Sequence, residues 1–382
     1  MSMIYSKICV SFFGEMGLER ESEIQMRFAR TAIEANFDYL NRRFLENKEG
    51  RDFKIPPRII DIHLGYKGRP CQNKCVWCYD KRDDNRKILR FNNEQIEELK
   101  SEIDRIVDWE REEFEVEEIY LAGGGEPTLF PEVTSLIMDR FSQEERNVWL
   151  TTNGIFLSDR LTTSVKKIKG VLVSLNGCDK ESYLANTKFD GFSVVMDNLR
   201  RLLDLRKKEG FPLRVNVTYV FNPNNINSLR KLILELNDMG LDEFRCRYDL
   251  FSKPDEPYNI EGKEVLEQIV LDYPNLPMEV VLKSPPSESL PENYECYAPF
   301  IWPTWNPLHG IFPCAHTTNE YNRIASKIRS GVYLLTETTG EQGDMLRPQC
   351  TRRCPSRLHW FNLFFNDRSF MKFPPTTIIA EE

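Results

Sequence analysis

Cys71-Gln72-Asn73-Lys74-Cys75-Val76-Trp77-Cys78 puts three thiols into eight positions, shortly after an apolar run, Ile59 to Leu64, that reads as a β-strand. No fourth cysteine or histidine falls within the stretch. A structural zinc site closes its shell with four protein ligands. Iron–sulfur clusters take cysteine thiolates readily, and a missing fourth ligand leaves one iron open. The spacing therefore predicts an open-faced metal centre at the end of a strand, and its identity has to come from the rest of the chain.

Working outward, 382 residues hold one large domain with appendages, or two ordinary ones. Hydrophobic residues make up 41% and charged residues 29%, the balance of a soluble globular protein. A net charge of −8 offers no basic face and argues against nucleic acid as a partner. The first residues lack the apolar core of a signal peptide, and no run of about eighteen apolar residues occurs. A cytoplasmic protein with no membrane association is expected. In that reducing compartment ten cysteines suggest metal or redox chemistry rather than disulfides.

Residues 1–56 are charged and carry helical periodicity through Ile24, Phe28, Ile33, Phe37, Leu40 and Phe44, which predicts a helical extension. From residue 58 strands and helices alternate. The strands expected are 58–64, 118–122, 148–152, 169–177, 213–220 and 243–250. Asn92 with Gln95 forms a capping pair ahead of a helix, Pro131 opens another, and Gly210 and Gly240 end two more. A last helix, through Val265, Leu266, Ile269 and Val270, precedes an extended run at 278–282. Six strand–helix units imply a parallel sheet with right-handed crossovers, fewer than the eight that close a full barrel. The fold class expected is α/β: a partial (β/α)6 TIM-like barrel over residues 57–275. A small cysteine-bearing domain over 276–382 is expected to follow it.

In such sheets ligands bind beyond the C-terminal strand ends. The unusual residues fall there: the three cysteines, then Gly123-Gly124-Gly125-Glu126-Pro127, Asn153, and Ser174 with Asn176. Glycines let backbone approach a ligand closely, and Glu126 can accept bonds from a cationic amine. Taken singly, Gly-Gly-Gly-Glu-Pro and Asn153-Gly154 are ordinary turn sequences. Arg245, Arg247 and Asp249 alternate with Phe244, Cys246 and Tyr248, so only one set can point inward. An inward Arg247 would bind a carboxylate or phosphate.

The three-cysteine spacing with Trp77, followed in order by Gly124-Gly125-Glu126-Pro127 and the Ser174-to-Gly177 segment, resembles the radical S-adenosylmethionine (SAM) superfamily. The resemblance implies a 4Fe–4S cluster on Cys71, Cys75 and Cys78, with SAM chelating the open iron. Tyr79, Gly124, Gly125, Glu126, Asn153, Ser174, Asn176 and Arg247 would then contact SAM. A reduced cluster would cleave SAM to methionine and a 5′-deoxyadenosyl radical that takes a hydrogen atom from substrate, with a flavodoxin or ferredoxin as electron donor. Cys178 or Cys246 would be a hydrogen donor to a substrate radical; the bland reading of each is a buried small hydrophobe.

Cys296, Cys314, Cys350 and Cys354, with Trp305 to Gly310 between the first two, resemble the SPASM and twitch extensions. Four cysteines suffice for one auxiliary 4Fe–4S cluster, and a zinc ribbon would use the same four. The expected substrate is a small polar molecule, sugar- or aminocyclitol-like, that is oxidised, dehydrated or epimerised. A ribosomally made peptide is the alternative, and a zinc-binding interaction protein is the non-enzyme alternative.

Overall fold

The computed structural model describes residues 52–53, 57, 59–65, 70–78, 91–108, 116–157, 159–249, 252–253, 255–283, 302–312 and 333–334. The expected helical extension, apart from its last residues, lies outside them, as do Tyr79, Cys296, Cys314, Cys350 and Cys354. Two short strands, β1 (Asp52–Phe53) and β11 (Tyr333–Leu334), pair antiparallel.

The remaining strands form one sheet: β2 (Ile59–Ile62), β3 (Glu118–Leu121), β4 (Asn147–Thr152), β5 (Gly170–Ser174), β6 (Arg214–Val220), β7 (Glu243–Arg247), β8 (Glu279–Leu282), β9 (Thr304–Asn306) and β10 (Gly310–Phe312). The spatial order is β10-β9-β2-β3-β4-β5-β6-β7-β8. Strands β2 to β8 run parallel in sequential order, as in a TIM-like barrel that stops short of closure.

Between the strands lie α1 (Asn93–Val107), α2 (Pro131–Gln143), α3 (Asp159–Val165), α4 (Lys180–Thr187), α5 (Phe192–Glu209), α6 (Leu229–Asp238) and α7 (Pro257–Asp272). Their ends follow local chemistry. Asn92 and Gln95 form a reciprocal capping box, with bonds of 2.8 and 2.9 Å; such a cap stabilises a helix by about 1 kcal/mol. Pro131 occupies the first turn of α2, and Gly210 ends α5 with φ of 72°.

Strand parity separates two faces. Ile60, Ile62, Ile119, Leu121, Val148, Leu150, Val171, Val173, Val215, Val217, Tyr219, Phe244 and Cys246 are buried in the core shared with the helices. The alternate residues Asp61, Tyr120, Trp149, Ser174, Thr218, Arg245 and Arg247 occupy the other face. The Arg247 charge acts on Asp61, five strands away in the sheet order. In a flat sheet five spacings of about 4.8 Å would hold those strands about 24 Å apart, beyond a screening length of about 8 Å. That coupling accords with the partial barrel of the parallel strands, in which Asp61 and Arg247 both belong to the face turned away from the helices, its lumen side.

The sheet also extends beyond the six strands expected. β8 is a seventh strand of the parallel run, and β9 pairs parallel with β2 through Asp61↔Thr304 and Ile62↔Trp305. Residues on both sides of the boundary expected at 275 thus pair into one sheet. The physical reason is the free edge of β2: its N–H groups at Asp61 and His63 donate to Pro303 and Trp305 carbonyls, each at 3.0 Å. Trp305 points to the helix side and donates Nε1–H to buried Glu102 of α1 at 2.9 Å.

Candidate functional site

The three cysteines stand on the loop that follows β2, each partly exposed. Two main-chain bonds fasten this loop to the end of α4: Lys74 N–H donates to Thr187 O at 2.6 Å and Val76 N–H to Asn186 O at 3.0 Å. A third, Cys78 N–H to Cys75 O at 3.0 Å, closes a turn between the last two cysteines. Helix α4 itself packs against the end of β5 because residue 177 is glycine. A Cβ there would lie 2.3 Å from the Tyr183 nitrogen.

The glycine turn after β3 is bound to the same loop. Gly123, Gly124 and Gly125 have φ of 74°, 64° and 111°. A Cβ on Gly125 would lie 2.2 Å from the Pro70 oxygen, so only glycine allows the two segments to touch. Glu126 N–H then donates to that same Pro70 oxygen at 2.7 Å.

The Glu126 side chain is 3% exposed. Its Oε1 accepts from Thr128 N (3.0 Å), Thr128 Oγ1 (2.6 Å) and Thr152 Oγ1 (2.6 Å), and its Oε2 accepts from Asn153 N (2.7 Å). Burial raises its carboxyl above the ordinary value, and those four donors oppose the shift. Glu126 thus ties the end of β3 to the end of β4. Asn153 completes the connection: its Nδ2 lies 3.7 Å from Cys71 Sγ, and its Oδ1 accepts from Gln72 Nε2 at 2.9 Å.

Sequence reading missed Tyr183, which is fully buried beside this cluster. Asn73 Nδ2 donates to its hydroxyl at 3.3 Å. Burial first, and then the charges of Cys75, Cys71 and Glu126, push its phenol up to about 12. A buried tyrosine in a short helix is usually core, and nothing local in the sequence marks it otherwise.

Ser174 lies on the lumen face, its hydroxyl 3.3 Å from Thr218 Oγ1. Asn176 is 4% exposed and serves as a strut. Its Oδ1 accepts from Val220 N at 3.3 Å, and its main-chain oxygen accepts from Asn186 Nδ2 at 2.9 Å. Arg247 is exposed on the lumen side, and Arg245 pairs with Glu243 on the same side.

Cys246 shows no exposed surface and faces the helices. Cys178 lies behind the sheet with it, its Sγ 2.8 Å from the Tyr219 hydroxyl and 3.0 Å from the Asn225 carbonyl oxygen. Burial pushes the Cys178 thiol up to about 11 and raises that of Cys246 well above its usual value. Strand parity turns Cys246 and Tyr219 away from the lumen, and the Cys178 thiol sits against the Tyr219 hydroxyl, so the structure brings neither thiol to the lumen face where a hydrogen donor would stand.

Residues 67–236 match the model of the radical SAM superfamily. That segment is a radical SAM domain. The family implies a 4Fe–4S cluster and SAM. It is 25% identical over 176 residues to a probable GTP 3′,8-cyclase of Metallosphaera sedula, covering 45% of this chain and 50% of that one. It is 27% identical over 198 residues to a probable GTP 3′,8-cyclase of Methanocaldococcus jannaschii, covering 51% and 59%. The chain thus spans about half the length of the curated relatives it matches. Among solved structures it resembles native anSMEcpe with bound AdoMet and the Cp18Cys peptide. The TM-score is 0.54 at 17% identity, covering 83% of this chain and 98% of that one, which shows the shared fold.

The donor set suits the implied cluster: three cysteine thiols stand on one loop, and the Asn153 Nδ2 lies 3.7 Å from one of them.

Proposed function

We propose that this chain is a radical SAM enzyme acting on a small polar molecule. The observation that carries the reading is the single unit formed at the mouth of the barrel. There the cysteine loop, the glycine turn and the end of β4 are joined through Glu126 and Asn153. Cys71, Cys75 and Cys78 would hold the 4Fe–4S cluster. When bound, cluster and SAM together supply one-electron cleavage to methionine and a 5′-deoxyadenosyl radical.

The chain's own residues position and shield that chemistry. The positive-φ turn at Gly124 and Gly125 presents main-chain groups where the methionyl amine of SAM would lie, with Glu126 fixing the turn from behind. Ser174 faces the lumen toward the ribose or carboxylate. Asn176 acts on SAM indirectly, by holding the ends of β5 and β6 in register. Tyr183 and the core beneath it exclude water from the inner side of the cysteine loop. Tyr79 and Arg247 complete the expected SAM contacts.

A small polar substrate suits the lumen, which carries Asp61, Thr218, Glu243, Arg245 and Arg247. The names of the curated relatives, cyclases of a nucleotide, favour a small molecule over a peptide. A sugar- or aminocyclitol-like compound undergoing dehydrogenation or dehydration fits best. Epimerisation needs a hydrogen donor, and the two described thiols outside the cysteine loop both lie behind the sheet. One auxiliary 4Fe–4S cluster on Cys296, Cys314, Cys350 and Cys354, and a flavodoxin or ferredoxin as donor, belong to the same proposal.

Anaerobic purification followed by iron and sulfide analysis tests it. Brown protein with about eight irons per chain, releasing 5′-deoxyadenosine from SAM on reduction, is the expected result. Colourless, zinc-loaded protein that leaves SAM intact overturns it, and about four irons removes the auxiliary cluster alone.

A further inference from the structure

The amide of Asn153 is held in one orientation by the network around it. Its Oδ1 receives two donors, Gln72 Nε2 at 2.9 Å and Ile155 N–H at 3.0 Å. Turning the amide over would set its NH2 group against the Ile155 N–H, a main-chain donor that cannot be reversed, so that bond fixes which end is oxygen. The Nδ2 hydrogen is thereby left facing Cys71 Sγ, 3.7 Å away, within the range of a hydrogen bond to sulfur. Asn153 is only 7% exposed, so water competes little for that donor. Its main-chain N–H is meanwhile anchored on Glu126 Oε2 at 2.7 Å.

We infer that Asn153 is a positioning residue whose N–H···S bond to the Cys71 thiolate sets the electron affinity of the cluster. The inference rests on the cluster proposed above. A hydrogen-bond donor at a ligating sulfur withdraws negative charge from it. That favours the reduced cluster, which carries one more electron, and raises the midpoint potential. Glu126 gives the bond a second property. The carboxylate that fixes the glycine turn also fixes the residue that touches Cys71, so a ligand shifting the turn moves the sulfur's donor as well.

The rival account is purely local: Asn153 only shapes the turn after β4 by accepting from Ile155 N–H. Asn153→Asp separates the two, since it keeps the acceptor for Ile155 and Gln72 but removes the donor and adds negative charge. The full chain, reconstituted anaerobically, is titrated with dithionite through redox mediators and followed by electron paramagnetic resonance. The signal read is the one that changes on adding SAM.

Asn153→Asp is expected to lower the midpoint potential with iron content and melting temperature close to wild type. It should also remove one solvent-exchangeable proton coupling from the reduced cluster. Gln72→Leu, which removes one of the two donors that hold the amide, is expected to shift the potential the same way by less, and it decides the matter if Asn153→Asp fails to hold iron. An unchanged potential in an iron-loaded variant overturns the inference. Wild-type protein that takes up no cluster defeats the cluster assignment instead, so the two failures are told apart.

Discussion

The two faces of the sheet differ residue by residue along the same strands. On β2, Ile60 and Ile62 pack into the helix layer while Asp61 faces the lumen. On β7, Phe244 and Cys246 are buried whereas Arg247 is exposed. The cysteines show the consequence. Those of the loop are partly exposed and joined to a polar network; Cys178 and Cys246 sit behind the sheet with raised pKa. A thiol binds metal as thiolate, so environment rather than residue type would separate the proposed ligands from a buried thiol.

The largest test of this contrast replaces Cys71, Cys75 and Cys78 together with Ala. Loss of the proposed SAM cleavage is expected, measured as 5′-deoxyadenosine. Cys178→Ala with Cys246→Ala should leave the iron content unchanged; iron loss in that double variant would break the distinction between the faces.

Next in size is Glu126→Ala. It strands two threonine hydroxyls and two main-chain N–H groups, and a cost of about 3–5 kcal/mol is expected in chemical denaturation. A change below about 1 kcal/mol would mean that the mouth is held by the backbone bonds alone.

Asp61 supplies a pH test. Burial raises its carboxyl to about 8 from 3.8, partly offset by Arg247, and His63 Nε2 lies 3.9 Å from its Oδ2. The folded state then binds a proton that the unfolded chain has released. This residue's contribution to stability is fully present below about pH 4 and is lost as pH rises toward 8. Asp61→Asn should flatten that slope in melting curves taken across the window, and an unaltered slope would place the titration elsewhere.

The smallest effect concerns reactivity. With its thiol near 11, Cys178 should react with iodoacetamide at pH 8 about two orders of magnitude more slowly than an ordinary exposed thiol. Peptide mapping of the alkylated protein reads this directly.

Much of this architecture was legible in the chain. The capping pair at Asn92 and Gln95, the Pro131 start and the glycine stops act within a few residues of themselves, so they survive the reading of a single sequence. Helix α4 was missed because its eight residues carry little apolar periodicity and include Asn186 and Thr187, whose burial serves the cysteine loop. The seventh strand, β8, was read only as an extended run, since an edge strand of four residues gives a weak pattern.

By itself the sequence determined the alternation of strands and helices and the three-cysteine spacing, because side-chain periodicity and loop length are local properties of the chain. Tertiary structure alone decided which polar groups meet. Asn153 reaches Cys71 across 82 residues, and Asn306 Nδ2 bonds the His63 oxygen at 2.8 Å across 243. Such contacts follow from how the sheet curls and which edge the last hairpin covers. Those choices are made by burial summed over the whole core, and no stretch of sequence records them.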